Sequence, residues 1–145
     1  MLKRWRKTET PIPAEVAREP RTVPEFFFDG LEPWAPGARL TECRVGDRRL
    51  DLVGGATYLG YDFGAYGMLT LRFLSEEPEQ RVILEFENLR SFIAVPGDPR
   101  ARMVGQCEGW DYWPGAPGRA SCTVYAGESN LSFSCSGVRL RLEDV

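Results

Sequence analysis

The sequence predicts an all-β fold, an antiparallel sandwich or open barrel of about eight or nine short strands behind an extended Pro-rich N-terminal arm. Three observations predict it. Short alternating apolar–polar segments recur at regular spacing from Arg39 onward, glycine- and proline-bearing turns separate them, and no segment after residue 24 carries a helical period. A chain of 145 residues with 43% apolar content holds one core of ordinary size, not two.

Six of the eleven prolines fall between Pro11 and Pro36, a density that blocks long helices and central strands. Residues 1–24 read as a flexible basic tail with one short helical turn at Ala14–Glu19, and residues 25–145 as a single β domain. Phe26, Phe27, Phe28 and Trp34 are too apolar for free solvent, and are expected to anchor the arm onto the body.

Three hairpins follow from register. Gly46-Asp47, with glycine first, suits a two-residue type II′ turn that pairs Cys43 with Leu50 and Thr41 with Leu52. That register also opposes Glu42 to Asp51, a like-charge pair that weakens it. The polar stretch Ser75–Gln80 around Pro78 turns a second hairpin, pairing Phe73 with Val82, Leu71 with Leu84 and Leu69 with Phe86. Arg72, Glu85 and Glu87 then point the other way. The third hairpin, turning at Gly127–Asn130, pairs Ala126 with Leu131, Val124 with Phe133 and Cys122 with Cys135 on an inward face. Directly paired strand cysteines rarely reach disulfide geometry without strain, so two packed thiols are expected.

Further strands are expected at Ala56–Phe63, Leu89–Val95, Ala101–Cys107 and Val138–Leu142, with Pro96-Gly97-Asp98-Pro99 as a turn. Gly109–Gly118, rich in glycine and proline, reads as a loop.

Charge divides unevenly. Residues 1–24 carry six basic and three acidic groups, whereas residues 25–145 carry twelve and eighteen, a net of −6. An acidic body argues against nucleic acid, because phosphate binding needs a positive surface. No apolar run approaches the roughly 20 residues that cross a bilayer. The basic start Lys3-Arg4-Trp5-Arg6-Lys7 has the look of a secretory n-region, but Thr8-Glu9-Thr10-Pro11 replaces the apolar stretch that should follow. A cytoplasmic location is therefore expected. Sixteen arginines against two lysines fit a GC-rich, bacterial genome.

Catalytic equipment is sparse. There is no histidine, and both lysines, Lys3 and Lys7, sit in the tail, so a serine or cysteine nucleophile in the body has neither usual base. Cys43, Cys107, Cys122 and Cys135 form no C-x-x-C pair, and no phosphate-cradling glycine loop occurs. No metal or cofactor is expected, and the chain reads as a non-enzyme.

The first functional expectation is therefore a non-catalytic protein-binding module. Its concrete version is a small bacterial inhibitor or immunity-type protein that neutralises a basic toxin or enzyme. Its contacts would be Trp110, Asp111, Tyr112 and Trp113 on the Gly109–Gly118 loop, together with Glu76, Glu77, Glu79, Glu85 and Glu87 around the second hairpin. Tyr112 is the residue most expected to be exposed, while at least one tryptophan plugs the core. The alternative is a small-molecule or carbohydrate-binding β domain. In it, Tyr61, Tyr66, Trp110, Tyr112 and Trp113 line a cleft, with Asp62, Glu108 or Asp111 as a carboxylate pair at the roughly 5–10 Å separation a glycosidase needs. A structural subunit of an assembly is a third reading.

Overall fold

The computed structural model describes residues 25–98, 100 and 102–145, so the expected tail, its helical turn and its basic start lie outside the described residues. Twelve strands are described: β1 (Phe27–Asp29), β2 (Gly37–Leu40), β3 (Glu42–Val45), β4 (Arg48–Asp51), β5 (Ala56–Phe63), β6 (Leu69–Glu76), β7 (Glu79–Glu87), β8 (Arg90–Pro96), β9 (Cys107–Pro114), β10 (Ala120–Ala126), β11 (Ser129–Cys135) and β12 (Gly137–Asp144). They form two five-stranded sheets, β1-β12-β7-β6-β5 and β2-β9-β10-β11-β8, and a separate β3–β4 hairpin. The fold is an all-β sandwich. Nine of the strands match expected segments; of the other three, β1 and β2 come from the arm and β9 from the supposed loop.

The sheets meet through side chains that alternate along each strand. Leu69, Leu71 and Phe73 of β6, Val82, Leu84 and Phe86 of β7, and Val138 and Leu140 of β12 face Cys122, Val124, Leu131, Phe133 and Cys135, all buried. The rings of Phe86 and Phe133, one from each sheet, meet edge to face with centroids 4.9 Å apart.

The second hairpin has the expected register. On its outer face Ile83 is also buried, flanked in register by Arg72 and Arg141. The arginines' aliphatic stems account for an apolar residue there. The first hairpin also keeps its register, Glu42 opposite Asp51 included. The like-charge pair is relieved because Glu42 turns to Arg49 at 3.7 Å, while Asp51 accepts the Val53 and Gly54 amides at 2.9 and 3.0 Å.

The third hairpin departs from expectation by two residues. Cys122 pairs with Phe133, Val124 with Leu131 and Ala120 with Cys135, around a two-residue Gly127-Glu128 turn in which Gly127 has φ +63°. A shift of two preserves which side chains face inward, so hydrophobic pattern cannot detect it; the turn decides. All four cysteines are free and buried.

The larger correction concerns Trp110–Trp113, which is no loop: it belongs to β9, inside the second sheet between β2 and β10. Gly109 sits there because its φ is +113° and a Cβ would collide with the Leu40 carbonyl of β2. The expected strand at 101–107 fails in turn: residues 102–106 are irregular, and Ala101 lies outside the described residues.

The arm is anchored as expected. Phe27 and Phe28 lie in β1, which pairs parallel to β12, and Phe26, Phe28 and Trp34 pack on Tyr112 with centroids 5.3 to 5.7 Å apart. The β1/β2 seam of the sandwich is thereby sealed by aromatic rings.

Candidate protein-interaction surface

The opposite seam, between the edge strands β5 and β8, is closed differently. In β5 a bulge at Leu59-Gly60, with Gly60 at φ +122°, inserts one residue into the pairing with β6. The bulge changes which residues face inward: Tyr58 pairs with Phe73, but beyond it Tyr61 pairs with Leu71 and Phe63 with Leu69. Both rings therefore turn toward the core at the sheet's margin, where no further strand covers them. Phe92 of β8 meets Phe63 edge to face at 4.8 Å and Tyr61 at 5.8 Å. The seal is partial, since Phe63 remains 54% exposed and Tyr61 38%.

Above these rings, residues 102–106 tie the sheets together. Gly105 O accepts the Tyr58 amide at 2.8 Å on the β5 edge, and Gln106 O accepts the Gly127 amide at 2.8 Å. Buried Arg102 donates to Gly127 O (2.8 Å), Ser129 O (3.3 Å), Asn130 Oδ1 (2.9 Å) and Glu108 Oε1 (3.1 Å). With backbone and Arg102 committed inward, Met103 and Val104 point out, 77% and 65% exposed. Val104 borders two adjoining hollows of ≈ 370 and ≈ 530 Å³, the first shared with Leu59 and Tyr61 and the second with Met103. Leu59, Tyr61, Phe63, Met103 and Val104 thus follow one another along one side of the sandwich.

The expected acidic contacts separate into two groups. Glu76, Glu77 and Glu79 are exposed at the β6–β7 tip. Asp144, opposite Gln80 in register, joins them from the end of β12, a neighbour that only sheet order reveals. Among the described residues none of these four enters an ion pair. Glu85 and Glu87 are different: Glu85 is buried and bound by Arg141 at 3.1 Å, and Glu87 is bound by Arg139. With Asp29–Arg139, Arg141–Glu143 and Asp62–Arg72, they make the outer face of the first sheet internally neutralised.

The expected aromatic contacts also divide. Trp110 and Tyr112 are core residues, the latter against expectation, because β9 alternates and both fall on its inward side. Trp113 and Asp111 face outward. The cleft of the alternative reading does not assemble: Tyr66 stands alone in solvent on the turn before β6, Trp110 and Tyr112 are interior, and Trp113 lies on the far sheet. Of its carboxylates, Asp62 is on the other sheet from Asp111 and Glu108, which both contact Arg39. Asp62 is held by Arg72 at 2.6 Å on the outer face of one sheet. Asp111, on the outer face of the other, accepts the Tyr125 hydroxyl at 2.7 Å and the Arg39 amide at 2.8 Å. Glu108 lies between Arg102 and Arg39.

The thiols of Cys43, Cys107 and Cys122 and the phenol of Tyr58 are held protonated. Burial pushes the Cys43 thiol up to about 12 and raises Cys107 and Tyr58, while a hydrogen bond to Cys135 followed by burial raises Cys122. Tyr125 is raised first by its hydrogen bond to Asp111. Thiols in this state are packing residues, not nucleophiles.

No helix among the described residues is long and apolar enough to cross a membrane. Comparison with family models, with curated proteins and with solved structures returns no match, so the molecule's own surface carries the functional reading.

Proposed function

We propose that this chain is a non-catalytic protein-binding module that engages its partner along the β5/β8 seam, with the acidic β6–β7 tip steering a basic partner toward it. One observation carries the reading: Leu59, Tyr61, Phe63, Met103 and Val104 are large, apolar and exposed along one side of the molecule. With roughly half of each residue's surface in water, the patch is on the order of 500 Å², a size at which a monomer's largest apolar patch is often functional. Contacts shift from the β9 aromatics to this seam, and from Glu85 and Glu87 to Glu76, Glu77 and Glu79.

The most concrete form is a small bacterial inhibitor or immunity-type protein in the cytoplasm, neutralising a basic toxin or enzyme of the same cell. Supporting it are the chain's size, the net −6 of residues 25–145, and unpaired carboxylates concentrated at one tip. The experiment is affinity purification from the native host with wild type and with the Tyr61→Ser/Phe63→Ser variant. A stoichiometric protein partner that wild type retains and the variant loses supports the proposal. Recovery of no such partner, or equal recovery by both, refutes it.

A further inference from the structure

The two edge strands that flank the seam differ in what their backbones still offer. On β5 the Tyr58 amide is already taken by Gly105 O, and the Gly60 bulge bends the strand. On β8 the pairing with β11 runs regularly from Ile93 to Pro96. Ala126 and Ser129 close a two-residue turn, so their pair is hydrogen-bonded, and alternation turns the backbones of Asn130 and Ser132 toward β8. Those two residues pair with Val95 and Ile93. The N–H and C=O of Ala94, between them, therefore point away from the sheet and meet no backbone partner among the described residues. Pro96 is tolerated in β8 because its absent N–H would point the same open way. Ser91 to Val95 carry no charge, and Ile93 and Val95 on the outer face are 57% and 49% exposed. Such an edge lacks the lysines and inward charges that normally keep other strands from pairing with it.

We infer that β8 takes an extended segment of the protein partner as an added antiparallel strand. That segment has apolar side chains at alternate positions, a basic N-terminal end and an acidic C-terminal end. The inference deepens the seam proposal and rests on it for the partner being a protein. Main-chain bonds to Ala94 supply the pairing, and alternate side chains supply the fit. A strand about 4.8 Å beyond β8 lays its inward side chains over Tyr61 and Phe63, the rings that the two edges leave partly uncovered. Its outward side chains extend the apolar rows of Ile93 and Val95.

Charge sets the direction. Asp98 and Glu128, both exposed, stand at the Pro96 end of β8 beside the larger hollow, and neither enters an ion pair among the described residues. Arg90, also exposed and without an ion pair among the described residues, stands at the other end. The antiparallel ladder is the better aligned of the two, and it brings the segment's N-terminal end to the carboxylates and its C-terminal end to Arg90. The Pro96 end of β8 also lies toward the acidic β6–β7 tip. Gly55 O, just before β5, accepts the Glu76 amide at 3.1 Å, and Gly105-Gln106 joins Tyr58 of β5 to Gly127 beside Glu128. A basic end steered by the tip therefore arrives where two further carboxylates hold it.

Amide hydrogen exchange followed by nuclear magnetic resonance tests this on the full chain. The probe is a synthetic peptide of about nine residues in which two lysines lead, valine alternates with threonine, and two glutamates end the chain. The control peptide has the same composition with the glutamates first and the lysines last. At saturation the probe is expected to slow exchange of the Ala94 amide at least about tenfold, and the control to bind at least about tenfold more weakly. Ala94→Pro, which deletes the outward N–H at an exposed edge position, is expected to weaken the probe by a similar factor. Circular dichroism verifies folding, and Ile93→Lys/Val95→Lys replaces this variant if it misfolds, with the same loss expected. An Ala94 amide left unprotected, equal binding of the two peptides, or binding undiminished in the variant would each overturn the inference. The probe needs no host partner, so these failures are distinct from failure of the affinity purification that tests the seam.

Discussion

Arg102 donates from Nε to the carbonyl of Gly127 at 2.8 Å, across 25 residues of chain, and so locks the 102–106 segment onto the β10–β11 turn. Its other nitrogens serve Ser129, Asn130 and Glu108. Removing it leaves two carbonyls and a half-buried carboxylate without their donor. Arg102→Ala is expected to cost about 3 kcal/mol in urea denaturation, a lower midpoint at an unchanged slope. A loss below about 1 kcal/mol would mean that the segment is held by its backbone bonds alone.

Gly137 pairs with Phe27 in the parallel β1–β12 contact, and a Cβ there would overlap the phenyl ring. Gly137→Ala is expected to destabilise by about 1–3 kcal/mol through this overpacking. Phe27→Ala in the same background is expected to recover part of the loss, because it removes the clashing ring. A double-mutant cycle measures that coupling, and additive effects would place the clash elsewhere.

The core thiols set an alkaline limit. Cys43 is buried, and its pKa rises from an ordinary 9.0 to about 12, so the folded state holds its proton more tightly than the unfolded state does. Stability from this group is complete below about pH 9 and declines as pH climbs toward 12, by roughly 4 kcal/mol at the upper end. Denaturation midpoints should fall across that window and less steeply in Cys43→Ala, once the substitution's own pH-independent cost is subtracted. Thiol titration of the unfolded, non-reduced chain should count four.

Much of this fold was legible because two of the hairpins are over-determined. The β6–β7 pairing sets three large apolar pairs against one another, and any one-residue slip would turn all of them to solvent. The β10–β11 pairing lacked that safeguard against a slip of two. β9 was hidden by Gly109 and by the glycine- and proline-rich stretch that begins at Pro114, although Trp110 and Tyr112 alternate with Asp111 and Trp113 as a half-buried strand should. The seam was illegible for another reason. Tyr61 and Phe63 look like inward strand residues, and only sheet order makes β5 and β8 edges, while only the Gly60 bulge gives the rings their direction.

The acidic tip acts on encounter more than on the bound state. Glu77→Lys/Glu79→Lys is expected to slow association with the partner by about tenfold at low salt, to leave dissociation nearly unchanged, and to flatten the salt dependence. Surface plasmon resonance at two ionic strengths separates these rates. An effect confined to dissociation would move these glutamates into the contact itself.

Isothermal titration of the co-purified partner into wild type, Phe63→Ser and Ser121→Ala, a control on the outer face of the second sheet, addresses the seam most directly. Binding at least about tenfold weaker for Phe63→Ser, with Ser121→Ala unchanged, is the predicted result. Equal affinity for all three would show that the partner binds elsewhere.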